Sequence, residues 1–306
     1  MLVSKVSADT FRGPGVSTAV NDESIEEVRI EARREAPLGA EQEAEVAEKS
    51  RLHAAIVYEI IQREGLGELA RGFPALWWSG LAAGIAIGFS VVAEALLASH
   101  LPPTSWRPLV ENFGYSVGFL IVILGRQQLF TENTLTAVLP VVTRFSLSWG
   151  VALLRLWSIV LFANLTGCLL FAAFIAFSGV LSAEVVAAVT AIGKHMMMHD
   201  PLQMFLRGIA AGWLIAALVW MLPSSEGNEF VVITLITYII AVADFTHVIA
   251  GSVEMFFLLL QQEITISAGL AGFLLPTLAG NIFGGAVLFA LLSYAQVHRE
   301  LEELHN

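Results

Sequence analysis

Ala243-Asp244-Phe245-Thr246-His247-Val248-Ile249-Ala250-Gly251-Ser252 places an acid and an imidazole inside a long apolar run. Its counterpart in the first half of the chain is Gly125-Arg126-Gln127-Gln128-Leu129-Phe130-Thr131-Glu132-Asn133-Thr134, where Arg126 and Glu132 fall at a similar depth. Titratable groups are expensive in hydrocarbon and normally face a cavity or a pathway. A helix broken at that depth is tolerated only where the loosened backbone is buried or lines water. Two broken spans in corresponding places of two chain halves point to a transport site. The two stretches therefore predict a membrane pore or carrier whose site lies between Thr131 and His247.

Composition agrees. Of 306 residues, 56% are hydrophobic and only 14% are charged, too few charges for the surface of a soluble domain of this size. Mean hydropathy is +0.73. A net charge of −11 argues against nucleic acid as a partner and leaves no polybasic segment for lipid headgroups. Cys168, alone in the chain, cannot close an internal disulfide. No phosphate-binding glycine loop, HExxH or paired-cysteine zinc motif is present, so no enzyme, cofactor or metal site is predicted.

Residues 1–50 are rich in Glu, Ala, Ser and Val and poor in aromatics, and no apolar leader follows the start. They are expected to be a disordered acidic cytoplasmic extension. Residues 51–72 belong to an amphipathic or interfacial helix that begins near Glu43, with Leu52, Ile56, Ile60 and Ile61 on its apolar face. Residues 73–297 hold six apolar runs of about 20 residues or more, enough to cross the bilayer. These are about Pro74–Ser99, Leu109–Gln128 resuming after its break as a half-span to Val142, Trp149–Phe177, Pro201–Leu222, Glu229–Leu260 broken near His247–Ser252, and Ala268–Val297. Residues 298–306 form a charged cytoplasmic tail. Between the third and fourth runs lie Lys194, His195, Met196 to Met198 and His199, whose methionines suit packing better than metal binding.

The chain repeats itself. Gly80-Leu-Ala-Ala-Gly84 in the first run matches Gly208-Ile-Ala-Ala-Gly212 in the fourth, and Asn164 with Gly167 matches Asn281 with Gly284. Three spans per half is an odd number, so the halves are expected to run through the membrane in opposite senses. Arg51, Arg63, Arg71, Arg144 and Arg299 on one side, against Arg107, Lys194 and Arg207 on the other, place both termini in the cytoplasm.

Leu129-Phe130-Thr131, Phe245-Thr246-His247, Gly208-Ile-Ala-Ala-Gly-Trp-Leu214 and Asn281-Ile-Phe-Gly-Gly285 together resemble the formate/nitrite transporter family from about Pro74 to Val297. Within it, the acidic extension and Arg126-Gln-Gln-Leu-Phe-Thr-Glu-Asn-Thr134 are most similar to a little-characterised inner-membrane subgroup. The resemblance implies an all-α, aquaporin-like bundle of two inverted three-helix repeats, assembled as a homopentamer in the cell inner membrane with lipid around it. It implies a pore in each protomer for small monovalent anions such as formate or nitrite, often moved with a proton. His247 then corresponds to the central pore histidine and Thr131 to the threonine of the broken loop, while Leu129, Phe130, Phe119 and Tyr115 stand where the family builds its constriction. Lys194 corresponds to the vestibule lysine that attracts anions. The sequence departs from the family at Thr246, Gly251 and Gly212, where Glu, Asn and Asn are usual.

The chemistry of such a pore follows from solvation. A bare anion entering an apolar constriction loses hydration worth many kcal/mol, and a weak acid avoids most of that by crossing as its neutral form. Histidine, with a reference pKa of about 6.5, is the side chain suited to lend that proton. Arg126 is expected to pair with Glu132 or Asp244, since intramembrane charges are costly alone. Asn133, Asn164 and Asn281 are read as supports for the loosened backbone. A non-conducting sensor or scaffold that keeps the channel fold is the rival reading.

Overall fold

The computed structural model describes residues 52–305, and side chains for 52–299. The acidic extension, and the expected start of the first helix near Glu43, lie outside the described residues.

The described chain is helical: α1 Ala54–Ala70, α2 Phe73–His100, α3 Arg107–Leu124, α4 Leu139–Thr143, α5 Leu147–Phe177, α6 Ala183–Met196, α7 Pro201–Met221, α8 Glu229–Val242, α9 Val248–Leu260 and α10 Ala268–Arg299, the last continuing to His305. Starts are set by local chemistry. Pro74 occupies the first turn of α2, where its missing N–H costs nothing. Asp200 and Gln203 close a reciprocal capping box ahead of α7. Within α10, π-helical stretches at Ala268–Leu274 and Phe283–Phe289 flank an α-helical segment that begins at Leu275-Pro276. Proline there removes one ladder donor, and widening of the helix absorbs the fault.

Helices α2, α3, α5, α7 and α10 are each long and apolar enough to cross a membrane; α8 and α9, of 14 and 13 residues, are shorter. Large apolar side chains such as Trp78, Phe162, Phe174, Phe230 and Leu292 stand exposed around the outside, as suits lipid or protein neighbours better than water.

Two tight pairs organise the interior. Helix α2 packs on α5, and α7 packs on α10. At Gly84 a Cβ would overlap the backbone carbonyl of Asn164, and at Gly212 it would overlap that of Asn281. Reciprocally, a Cβ on Gly167 would strike Leu81, and one on Gly284 would strike Ile209. Without a hydrophobic drive between helices in lipid, such close backbone approach is what holds them together.

Two expectations need correction, on α1 and at the breaks. On α1 the face packed on the protein is Ala55, Val57, Tyr58, Ile61, Gln62, Gly65 and Leu69, so of the four residues named for its apolar face Ile61 is buried while Leu52 and Ile56 are exposed. Gly65 lets the carbonyl of Thr136 come close, and Gln62 donates to Thr143 Oγ1 at 2.8 Å, so contact quality rather than apolarity selects the face. After the first break the chain does not resume as a half-span. Residues Thr131–Val138 turn on themselves, with one 3-10 turn at Glu132–Thr134, before the five-residue α4. Threonine hydroxyls drive this: Thr134 and Thr136 bond back to the carbonyls of Thr131 and Glu132, offering the backbone an alternative to helix. The second break is shorter than expected, because regular helix restarts at Val248.

Candidate functional site

Both breaks are built to one plan. Helix α3 ends with Arg126 N–H bonding Ile123 O and Gln127 N–H reaching Val122 O; α8 ends with Asp244 N–H bonding Ala241 O and Phe245 N–H reaching Ile240 O. Arg126 (φ 52°) and Asp244 (φ 56°) take the same left-handed conformation at the same step. A buried asparagine then pins each loosened segment. Asn164 Oδ1 accepts from Phe130 N–H at 2.9 Å, while its Nδ2 donates to Gly80 O and Gln128 O at 2.8 and 2.9 Å. Asn281 Oδ1 accepts from Val248 N–H at 2.8 Å, and its Nδ2 donates to Gly208 O and Thr246 O at 2.8 and 3.0 Å. Extended backbone with no helical partner needs such donors and acceptors where water is excluded.

The pinned segments meet. Thr131 Oγ1 and His247 Nε2 lie 2.7 Å apart, with the two residues 0% and 2% exposed. His247 Nδ1 accepts from Ala250 N–H at 3.2 Å, capping α9. A nitrogen that accepts carries no proton, so the imidazole is the neutral Nε2–H tautomer and donates to Thr131. Phe119 meets the imidazole edge-on, ring centres 5.0 Å apart, and Tyr115 lies 5.1 Å from Phe119. Leu129 is fully buried beside Thr131 in sequence, and Phe130 packs edge-on against Trp157. Thr246 spends its hydroxyl on Met204 O at 2.8 Å. Asn133 donates to Gln128 Oε1 and Leu129 O, stiffening the first break from within.

His247, Thr246 and Tyr115 line a cavity of about 390 Å³ that also reaches Arg107, His195 and Asp244. Its charges are mostly matched. Asp244 Oδ2 sits 3.1 Å from Arg207 Nη1, 2.5 Å from His199 Nε2 and 3.6 Å from His195 Nε2, while Arg107 lies 2.5 Å from Glu111.

Several expected roles fall elsewhere. Arg126 pairs with neither Glu132 nor Asp244. Its side chain is 84% exposed and meets Glu64 at 3.3 Å, at a helix end where Leu124 and Gly125 are exposed as well. Glu132 keeps one carboxyl oxygen buried without a partner among the described residues. Lys194 is bound to Glu263 at 2.7 Å and does not line the cavity. The His195/His199 cluster serves Asp244, and no group of three potential metal ligands occurs among the described residues. Residue-by-residue reading missed Glu94. As the single acid in the 28-residue α2, it carried the signal that marked the breaks.

Fold and site thus define a helical integral membrane protein with two asparagine-pinned breaks that meet at a threonine–histidine contact. The chain belongs to the formate/nitrite transporter family, whose model matches residues 55–295. It is 42% identical over 248 residues to the inner membrane protein YfdC of Escherichia coli (strain K12), covering 81% of this chain and 80% of that one. The nitrite transporter NirC of the same organism is 26% identical over 223 residues, 70% of this chain and 81% of NirC. Among solved structures, a pentameric formate channel with formate bound aligns with a TM-score of 0.63 at 22% identity, covering 78% of this chain and 99% of that chain, which is a likeness of fold.

Proposed function

We propose that the protein carries small monovalent weak-acid anions of the formate/nitrite type across the membrane, with a proton passed at His247. The observation that carries this reading is the buried contact between Thr131 and the neutral imidazole of His247, which lines the cavity. A neutral imidazole offers an N–H to an anion's oxygen without adding a permanent charge to an apolar constriction. Phe119 and Leu129 are the apolar groups that strip water from whatever passes, and stripping favours the neutral acid over the anion. Family membership and relatives named for formate and nitrite support the substrate class.

On this reading the chain has six spans, with α8 and α9 sharing one, in two halves of opposite sense. The bond-for-bond agreement around Asn164 and Asn281 supports that repeat. The assembly is a homopentamer in the cell inner membrane, both termini cytoplasmic, its exposed apolar faces meeting lipid and neighbouring protomers.

A rival reading, a non-conducting sensor with the channel fold, draws on Lys194 being occupied by Glu263. Purified protein in liposomes, offered formate, nitrite, hydrosulfide and lactate with internal pH recorded, separates the two. Uptake of at least one with proton movement is expected; no flux of any leaves the sensor.

A further inference from the structure

Glu94 and Glu254 have no role in the site as described. Glu94 stands on α2 and Glu254 on α9, and both line the cavity that His247 also lines. They are 8% and 5% exposed, and neither makes a hydrogen bond or an ion pair among the described residues. On α9, His247, Gly251 and Glu254 follow at i, i+4 and i+7, so Glu254 sits on the histidine's side of the helix, about 10 Å along it.

The neighbourhood offers them no counter-charge. From α3, Arg107 is committed to Glu111, and Tyr115 is a neutral phenol. From α7 and the loop before it, Arg207 and His199 are committed to Asp244, which His195 of α6 also approaches. Lys194 is held by Glu263, and Cys168 of α5 lies against the carbonyls of Gly84 and Ile249. The stretch of α10 that packs on α9, Ala268–Leu274, carries no titratable group. A carboxyl group on the wall of a narrow cavity, mostly withdrawn from water and with no donor or cation beside it, is cheaper to hold as COOH than as carboxylate.

We propose that Glu94 and Glu254, two buried and unpartnered carboxyl groups facing the cavity above His247, load protons onto the transported weak acid before it reaches the histidine. This rests on the weak-acid reading and adds the step that reading lacks. His247 Nδ1 is occupied by Ala250 N–H, so a second proton on the imidazole would cost the cap of α9. The carboxyls hold theirs at no such loss. In the transfer, the O–H bond of a glutamic acid breaks and an O–H bond forms on an oxygen of the substrate anion. The glutamate left behind recovers its proton from hydronium in the cavity, and no electrons change hands. The substrate passes the Thr131–His247 contact as the neutral acid, with His247 Nε2–H as its last hydrogen-bond donor.

The test uses full-length protein in liposomes with formate as the probe, comparing wild type with Glu94→Gln, Glu254→Gln and the double variant between pH 7 and pH 5. Glutamine keeps shape and polarity and removes the transferable proton. The acid-stimulated component of flux is expected to fall about tenfold or more in the double variant, with thermal stability unchanged. A double variant that keeps the wild-type pH profile overturns the proposal. Should the double variant not assemble, each single variant is expected to lose at least about threefold, and two unchanged singles overturn it as well. If wild type carries none of the anions offered, the transport reading fails separately. Infrared spectroscopy then decides the carboxyls: a protonated-carboxyl band at pH 7 that the double variant lacks supports the proton store, and its absence from wild type overturns it. Methylammonium flux that disappears in the double variant would also overturn the proposal, by showing a cation filter.

Discussion

Replacing Asn281 by alanine removes three hydrogen bonds at once, of 2.8, 2.8 and 3.0 Å, from a residue with no exposed surface. Hydrogen bonds between membrane helices average about 0.6 kcal/mol and reach about 1.7. Gly208 O and Thr246 O each have a second lone pair and lose little more than that. Val248 N–H is different: it opens a helix, has no second acceptor, and is buried, so its orphaning costs about 1–3 kcal/mol. The total is about 2–4 kcal/mol. Because Val248 follows His247, the loosened backbone also releases the imidazole from Thr131, so anion flux should fall with stability. Asn164→Ala removes the matching three bonds and should cost the same within about 1 kcal/mol. Denaturation of the purified protein in detergent, beside flux in liposomes, measures both. An Asn281→Ala protein within about 0.5 kcal/mol of wild type, transporting normally, would refute the idea that these asparagines hold the breaks.

Gly84→Ala and Gly212→Ala, each driving a methyl into a carbonyl of the paired helix, should destabilise by about 1–3 kcal/mol in the same assay, while Gly67→Ala, in open space on α1, should stabilise by about 0.5–1 kcal/mol. Arg126→Leu should change stability by less than about 1 kcal/mol, as its partner Glu64 is exposed; a loss of several kcal/mol would restore a buried pairing. Tyr58, on α1 outside the apolar spans, is fully buried and its phenol is pushed above the ordinary range, chiefly by burial and then by Tyr294. The folded state then binds the proton more tightly, so this stability is present below pH of about 10 and is lost as pH rises above it, by up to about 1.4 kcal/mol per pH unit. Tyr58→Phe should remove that alkaline loss, which a melting series from pH 8 to pH 11 would show.

What could be read from the chain was whatever follows from period and solvation. Apolar length located α2, α3, α5, α7 and α10 within a few residues, and the cost of charge at depth located the breaks. The pairs Gly84/Gly212 and Asn164/Asn281 were visible because they repeat, and the structure shows why: each glycine admits the backbone of its asparagine's helix. Side-chain direction was not legible. Arg126 looked buried because it follows an apolar run, yet it stands at an exposed helix end beside Leu124 and Gly125 and meets Glu64. The turns after Thr131 depend on threonine hydroxyls competing with the helical ladder, a local choice that hydropathy does not record. On α1 the eye follows Leu52 and Ile56, whereas burial follows Tyr58, Gln62 and Gly65, whose shape fits the turns they cover. Glu94 and Glu254 were legible as lone acids in apolar helices, but only the cavity brings them into one place.

The most direct test lies at His247 itself. Asparagine at this position puts its Oδ1 where Nδ1 accepts from Ala250 N–H, so the cap of α9 survives, but the shorter amide leaves no donor at the place of Nε2–H beside Thr131. Formate flux in liposomes should be measured against pH from 8 to 5, wild type beside His247→Asn, at matched protein content and matched assembly. Passage of the weak acid at the Thr131–His247 contact requires wild-type flux to rise with acidity and the variant to lose about tenfold or more across the range. Equal flux with an unchanged pH profile would make His247 a structural cap of α9 and contradict the mechanism.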